Sequence, residues 1–430
     1  MSAPVRRTGS QATYTCRAGY DMVGAPTRTC QPDGTWSGTA PTCVAVDFGP
    51  PGTPVNGSAS APTTTYSSTA TFSCLSGLTL SGTATITCQA NGTWSGTVPS
   101  CVCNKTNCSG ACVDTQTDAN HCGGCNTVCT ATAPSTVECS SGRCLATLAS
   151  TDMALGLAVN ATSVYWSTTS GKIMMVPLAG GSATTLATGQ NEPEDITVGT
   201  DGVYWVNYFG ATVMKMPLAG GDAIAIASGQ GYPSDIAVDA TSVYWANGNI
   251  MKTSHNGGPV TTVASGTGVS AWSLAVSSAN VYWVGSGTVM TAPLGGGAFT
   301  TLSSGLSRPC DIAIDGTNAY AASSGTSANS YTDGTVTKVP LGGGTTTILA
   351  KDQASPASVA VGDTSVYWAN SAAAGSGGAL MKVSVDGTGT TTLVPARAYP
   401  VAIAIDATSM YWSDGGKNGS RYVVMKLTPR

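Results

Sequence analysis

From residue 145 onward the chain consists of short runs in which apolar and polar positions alternate, four runs to a unit. Residues 233–266, PSDIAVDATSVYWANGNIMKTSHNGGPVTTVASG, show the unit plainly. Its β-rich runs are 235–238, 242–246, 249–253 and 260–264, separated by the Asp, Asn and Gly that turns require. Ile236 and Val238, then Val243 and Trp245, fall on alternate positions, as in strands stacked between two neighbouring sheets. Nothing in this region has helical periodicity.

The unit recurs through an apolar-Tyr-Trp marker: Val164-Tyr165-Trp166, Val203-Tyr204-Trp205, Val243-Tyr244-Trp245, Val281-Tyr282-Trp283, Val366-Tyr367-Trp368 and Met410-Tyr411-Trp412. Ala319-Tyr320-Ala321 is a decayed copy, and the tyrosines are spaced 39, 40, 38, 38, 47 and 44 residues apart. A period near 40 with four short strands predicts a β-propeller of seven blades over residues 145–430. After the last marker only one further strand, 422–427, is predicted. Residues 145–150 match the fourth-strand pattern of 184–188 and 261–265, so they are expected to complete the last blade and remove an open edge. The Tyr-Trp pairs are read as packing between blades. The markers are similar to the Tyr-Trp-Thr-Asp repeats of low-density-lipoprotein-receptor propellers and to other bacterial secreted propellers. The Thr-Asp half is mostly absent, and seven copies stand where that family has six.

Before residue 145 the pattern is set by cysteine. Fourteen of the fifteen cysteines lie in the first 144 residues, and Cys310 is the exception. Residues 14–43, YTCRAGYDMVGAPTRTCQPDGTWSGTAPTC, and 72–101, FSCLSGLTLSGTATITCQANGTWSGTVPSC, place Cys, Gly, Trp, Pro and Cys in the same register twice. Both resemble the sushi, or complement-control, module, a small antiparallel β unit whose Trp packs on two disulfides. That family's first-to-third and second-to-fourth pairing implies Cys16–Cys43 and Cys74–Cys101. It leaves Cys30 and Cys88 seeking first-cysteine partners: in the second unit Phe48 stands at that position, and in the first the position falls before Met1. Residues 103–144 hold eight more cysteines, and CVDTQTDANHCGGCNTVC resembles the cysteine-rich repeat of the stigma-specific protein family. His121-Cys122-x-x-Cys125 invites a zinc reading, but an even, cysteine-dense module favours disulfides. The expected domains are thus 1–44 and 45–102 (sushi-like), 103–144 (cysteine-rich) and 145–430 (propeller). Such a framework implies an oxidising, extracellular or cell-surface location. The opening Met-Ser-Ala-Pro-Val-Arg-Arg has no apolar signal core, as expected if the original start, signal included, has been lost.

Composition sharpens the functional reading. Charged residues are 9% of the chain and the net charge is −4, which excludes a dedicated nucleic-acid binder. No run of 18 apolar residues occurs, so no transmembrane helix is predicted. Only two histidines exist, His121 and His255, so no histidine acid–base pair can arise within the propeller, and this counts against similarity to streptogramin-lyase-type propellers. No nucleophile elbow or phosphate loop is present, and nothing calls for a cofactor or metal. Charged and aromatic side chains, scarce elsewhere, gather in the fourth-to-first connections (190–195, 230–235, 306–311, 396–400) and in longer insertions at 323–334, 370–378 and 413–421. Glu192, Glu194, Tyr232, Trp272, Arg308, Tyr331, Arg397 and Tyr399 are therefore the candidate ligand-binding residues, on one loop face. The plainer alternative is ordinary solvated loop tips. Asp195, Asp235 and Asp311, nine residues before their tyrosines, are read as turn caps; the other copies carry Gly156, Ser273, Ser358 and Ala402. The sequence points to a secreted, non-catalytic binding or adhesion protein with a protein or glycan partner. The alternative is a propeller hydrolase or lyase using channel carboxylates.

Overall fold

Sushi-like spacing and tyrosine repeats mark two separate bodies of the chain. A computed structural model, which describes residues 7–109, 111–218, 220–371, 378–415 and 422–430, divides into compact units 1–115 and 116–430.

In the first unit the strands are short and rich in Thr and Ser. Gln11–Thr13 pairs with Thr27–Thr29, and Tyr20–Val23 with Thr42–Ala45. The second copy repeats this with Gly57–Ser60, Thr69–Cys74 and Thr85–Thr87 in one sheet, and Thr79–Ser81 paired to Ser100–Val102. Its apolar core is small: Ala70, Phe72 and Ile86, with Leu80 and Trp94 against them. Cross-links compensate. Cys16–Cys43 and Cys74–Cys101 each close 27 residues, worth about 3–4 kcal/mol apiece in the chain-entropy account. Cys30 and Cys88 remain buried thiols whose backbones pair with those of Trp36 and Trp94, and burial raises the Cys88 thiol. All eight cysteines between 103 and 144 are disulfide-bonded.

The second unit contains six antiparallel four-stranded meanders at residues 154–187, 193–228, 235–264, 273–304, 309–353 and 356–397, here sheets 1 to 6. Sheet 7 is assembled from distant parts of the chain. Ile403–Ile405, Met410–Asp414 and Tyr422–Thr428 are joined by Arg143–Thr151 and then by Thr136–Ser140, a fifth strand absent from the sequence expectation. The hairpin 136–151 runs across the boundary expected at residue 144. First strands of successive sheets pack side by side through the series, and that of sheet 7 packs on that of sheet 1.

The tyrosine and tryptophan of each marker point to opposite faces because strand side chains alternate. Tyr204 of sheet 2 therefore shares a core cluster with Trp245 of sheet 3, Tyr367 with Trp412, and Tyr411 with Trp166 back in sheet 1. All six tryptophans are fully buried. Where the marker has decayed, Ala321 takes the tryptophan's place and Tyr282 packs instead on Ile312 and Val339. Polar ties reinforce these contacts. The residue paired across from the marker tyrosine is a lysine in five sheets: Lys215, Lys252, Lys338, Lys382 and Lys426. Four of these reach into the next sheet, Lys215 donating to the Asn256 side-chain oxygen at 3.2 Å, Lys252 to the Leu294 carbonyl at 2.6 Å, Lys338 to that of Val385 at 3.0 Å and Lys426 to that of Leu178 at 3.0 Å. Turn aspartates accept the tyrosine hydroxyls, as at Tyr204–Asp201 (2.8 Å) and Tyr411–Asp406 (2.7 Å). Burial would raise Asp201, but the Lys215 and Tyr204 hydrogen bonds bring it down to about 2.

Candidate ligand-binding site

Alignment of the seven first strands on their tyrosines turns scattered residues into rings. Nine positions before each tyrosine stand Gly156, Asp195, Asp235, Ser273, Asp311, Ser358 and Ala402, and all seven line one cavity of about 920 Å³. The preceding residues, Leu155, Glu194, Ser234, Trp272, Cys310, Ala357 and Val401, line it too. Two of the predicted binding residues, Glu194 and Trp272, thus share one repeat position.

The aspartates are not turn caps. Each reaches the backbone of the next sheet: Ile236 N–H donates to Asp195 at 3.2 Å, Leu274 N–H to Asp235 at 3.1 Å, and Val359 N–H to Asp311 at 2.7 Å. Ser358 accepts from Ile403 N–H in the same way at 3.3 Å. These side chains clip sheet to sheet. Gly156 has no side chain to offer, and the approach of sheet 2 requires that: a Cβ there would lie 2.6 Å from Asp195 Oδ1. Burial, then the Asp235 charge beside it, pushes the Asp195 carboxyl up. Burial, then the Asp235 charge, pushes Asp311 up to about 6.

A carboxyl group raised in the folded state binds its proton more tightly there than in the unfolded chain. Its contribution is therefore present below the unfolded value near 4 and is lost as pH rises through the folded one. The turn aspartates such as Asp201 are lowered and exert their effect below pH 4. The midpoint of thermal unfolding is expected to decline between pH 4 and pH 6.5, and Asp311→Ala is expected to flatten that decline. A wild-type slope retained in the variant would exclude Asp311 as a source.

Three residues before the clip position lie Met153, Glu192, Tyr232, Ser270, Arg308, Ser355 and Tyr399. Four of the eight predicted residues fall on this one position. Glu192, Tyr232, Ser270, Arg308 and Ser355 all adopt left-handed backbone, with φ from 34° to 57°. That conformation costs a non-glycine residue about 1–2 kcal/mol, and its recurrence at a ring of loops points to function. Tyr232 and Trp272 are 61% and 60% exposed. Arg308 donates to the Tyr331 hydroxyl at 2.8 Å and lies over its ring, which unites two more predicted residues. Burial raises Glu194, and the neighbouring Glu192 charge adds to it.

Arg397 departs from expectation: it is 8% exposed and pairs with the fully buried Asp414. The reason is visible in its siblings. Fifteen residues before the marker tryptophan of sheet 2 stands Gln190, in the loop that enters it, and fifteen before that of sheet 6 stands Gln353, at the end of sheet 5; each accepts from the indole N–H and from the asparagine two residues beyond it. Arg397, the last residue of sheet 6, and Asp414 of sheet 7 occupy those same two positions, so the amide pair is replaced by an ion pair that ties the two sheets together. Tyr399 stays 43% exposed, its N–H donating to Asp414 at 3.2 Å. Of the predicted insertions, 323–334 carries a short 3-10 turn, Ser327–Asn329, held by Asp333. Residues 372–377 and 416–421 of the other two lie outside the described residues. His255 is away from the cavity, 3.3 Å from Asp201.

Comparisons with known proteins fit both units. Residues 1–43 and 49–101 match the Sushi repeat (SCR repeat) family. These two segments are similar to sushi modules. Mouse "Sushi, von Willebrand factor type A, EGF and pentraxin domain-containing protein 1" is 42% identical over 102 residues, which is 23% of this chain and 3% of that protein. Horse E-selectin is 37% identical over 73 residues, 16% of this chain and 12% of its own. The chain therefore spans only a small part of the curated relatives it matches. Among solved structures, virginiamycin B lyase from Staphylococcus aureus is similar at a TM-score of 0.55 and 12% identity, covering 66% of this chain and 98% of its own. Similarity to that lyase, against which the scarcity of histidine counted, is thus present at the level of fold alone. The second unit is propeller-like. No helix among the described residues is long and apolar enough to cross a membrane.

Proposed function

We propose that this is a secreted or cell-surface, non-catalytic binding protein that engages a protein or glycan at the mouth of the cavity in its propeller-like unit. In this reading the seven sheets are blades of one closed ring, the strand Arg143–Thr151 completing the last of them, while the sushi modules are extracellular. The observation that carries it is the ring of left-handed loop residues, which holds Glu192, Tyr232 and Arg308 at equivalent points around a cavity walled by Trp272 and Glu194. The disulfide framework supports an oxidising compartment.

The test is a protein and glycan array probed with the whole chain, followed by titration of any hit with variants. Trp272→Ala or Tyr399→Ala is expected to lose on the order of 1–3 kcal/mol of affinity, with the melting temperature unchanged. Retained binding in these variants, with loss on substitution in the sushi modules, would move the site to the first unit. A hydrolase or lyase is the second reading, favoured by Asp195 and Asp235, two buried carboxyl groups that both line the cavity and are both raised by burial. It requires turnover abolished by Asp235→Asn without loss of affinity. The clip bonds argue against it, because each carboxylate is already committed to a backbone amide.

A further inference from the structure

Near the cavity lies an aromatic cluster of which the loop candidates include only Tyr232. The turn joining the second and third strands of sheet 2 carries Tyr208 and Phe209, and both rings meet Tyr232 from the loop entering sheet 3. Ring centroids are 5.2 Å apart for Tyr208–Phe209, 5.3 Å for Tyr208–Tyr232 and 6.3 Å for Phe209–Tyr232. Phe209 and Tyr232 are each 61% exposed, in a chain with only four phenylalanines. Contiguous exposed rings of this kind mark a contact surface.

The backbone beneath them is built to hold that display. Tyr232 sits at φ 57° and Ala211 at φ 51°. The Tyr208 N–H donates to the Glu192 carbonyl at 2.8 Å, and the Gln230 N–H to Ala211 at 2.9 Å. Under the turn, Asn207 bonds Gln190 and Thr212, so the support is a neutral amide network.

We propose that Tyr208, Phe209 and Tyr232 form a stacking platform for a neutral saccharide chain running to the cavity mouth, where Trp272 supplies the next aromatic surface. The inference rests on the binding reading above and deepens it by naming the ligand class. Three features select that class. Aromatic faces carry negative quadrupole charge and attract the C–H-rich face of a pyranose ring. The polar side chains left at the surface beside the turn, Asn191 and Gln230, are uncharged and suit sugar hydroxyls. A net charge of −4, with no basic stripe, disfavours an anionic polymer or a membrane surface.

The test is calorimetric titration of the whole chain with neutral gluco-, manno- and xylo-hexasaccharides, with a heparin oligosaccharide as the anionic probe. At least one neutral chain is expected to bind, with an affinity unchanged between about 0.05 and 0.5 M salt because no ion pair is involved. Phe209→Ala and Tyr232→Ala should each weaken it about tenfold at an unchanged melting temperature, and Phe209→Trp should restore it. The inference is overturned if no neutral hexasaccharide binds, or if the Phe209→Ala/Tyr232→Ala double variant binds as tightly as wild type. Binding lost in Trp272→Ala but intact in that double variant would leave the mouth as the site and remove the platform alone. Binding that survives all of these changes removes both.

Discussion

A chain lacking residues 145–150 is expected to aggregate, or to melt far below wild type. Those residues belong to the strand Arg143–Thr151, which pairs along its length with Tyr422–Thr428. Leu145 and Leu148 on it are fully buried: Leu145 packs with Met410, Trp412 and Leu427, and Leu148 with Trp166 and Tyr411. Loss of two such leucines alone costs roughly 2–5 kcal/mol each, and the freed edge of Tyr422–Thr428 becomes a template for another chain. Since a folded domain is stable by only about 5–15 kcal/mol, the deletion removes most of its margin. Light scattering on a sizing column, with thermal melting alongside, reads the outcome. A deleted chain that stays monomeric at the wild-type melting temperature would show that this strand does not hold sheet 7 together.

Arg397→Ala is expected to destabilise the second unit by about 3–5 kcal/mol, because it leaves the Asp414 carboxylate buried without its cation. Asp414 is fully enclosed, so no water replaces the guanidinium. The double variant Arg397→Gln/Asp414→Asn is expected to recover most of the loss. It installs the amide pair already used at the entries to sheets 2 and 6, Gln190–Asn207 and Gln353–Asn370. Chemical denaturation of wild type, single and double variants forms the cycle that checks this. Failure of the double variant to recover would mean that the equivalence of these positions is one of sequence count only. The same experiment separates Arg397 from the ligand site, since affinity should follow stability rather than charge.

These two cases show what can be read from residue order and what cannot. The marker tyrosines and tryptophans were legible because large apolar residues recur at one period, and their burial follows from strand alternation alone. The aspartates nine residues before the tyrosines were visible as a pattern, yet their role was not. Their partners lie 41, 39 and 48 residues away, in the next sheet, where no local rule reaches. Arg397 was misplaced because a charged residue near a proline looks like a loop tip. Its true position appears only when the copies are superposed fifteen residues before each tryptophan. Tyr208 and Phe209 carried a signal that was passed over, two adjacent aromatic residues in a short turn. The strand Thr136–Ser140 had none, being hidden in a cysteine-dense segment where turns are the default expectation.

The pairing of Arg143–Thr151 with Tyr422–Thr428 also sets a timetable for the living chain. Thr147 and its partner Met425 are 278 residues apart, so at about 5–20 residues per second a ribosome needs roughly 15 to 60 s to supply the second strand after the first. Throughout that interval the early strand has only the hairpin partner Thr136–Ser140 beside it. Cys122–Cys139 and Cys129–Cys144 tether that hairpin at the residue pair Cys139 and Cys144. Oxidation during export would fasten it before the last strand arrives, whereas a reducing interior would leave the waiting edge loose and open to proteases. In an oxidising compartment the disulfides at the head of the propeller-like unit would thus serve as a clamp on the waiting strand until its last partner is made.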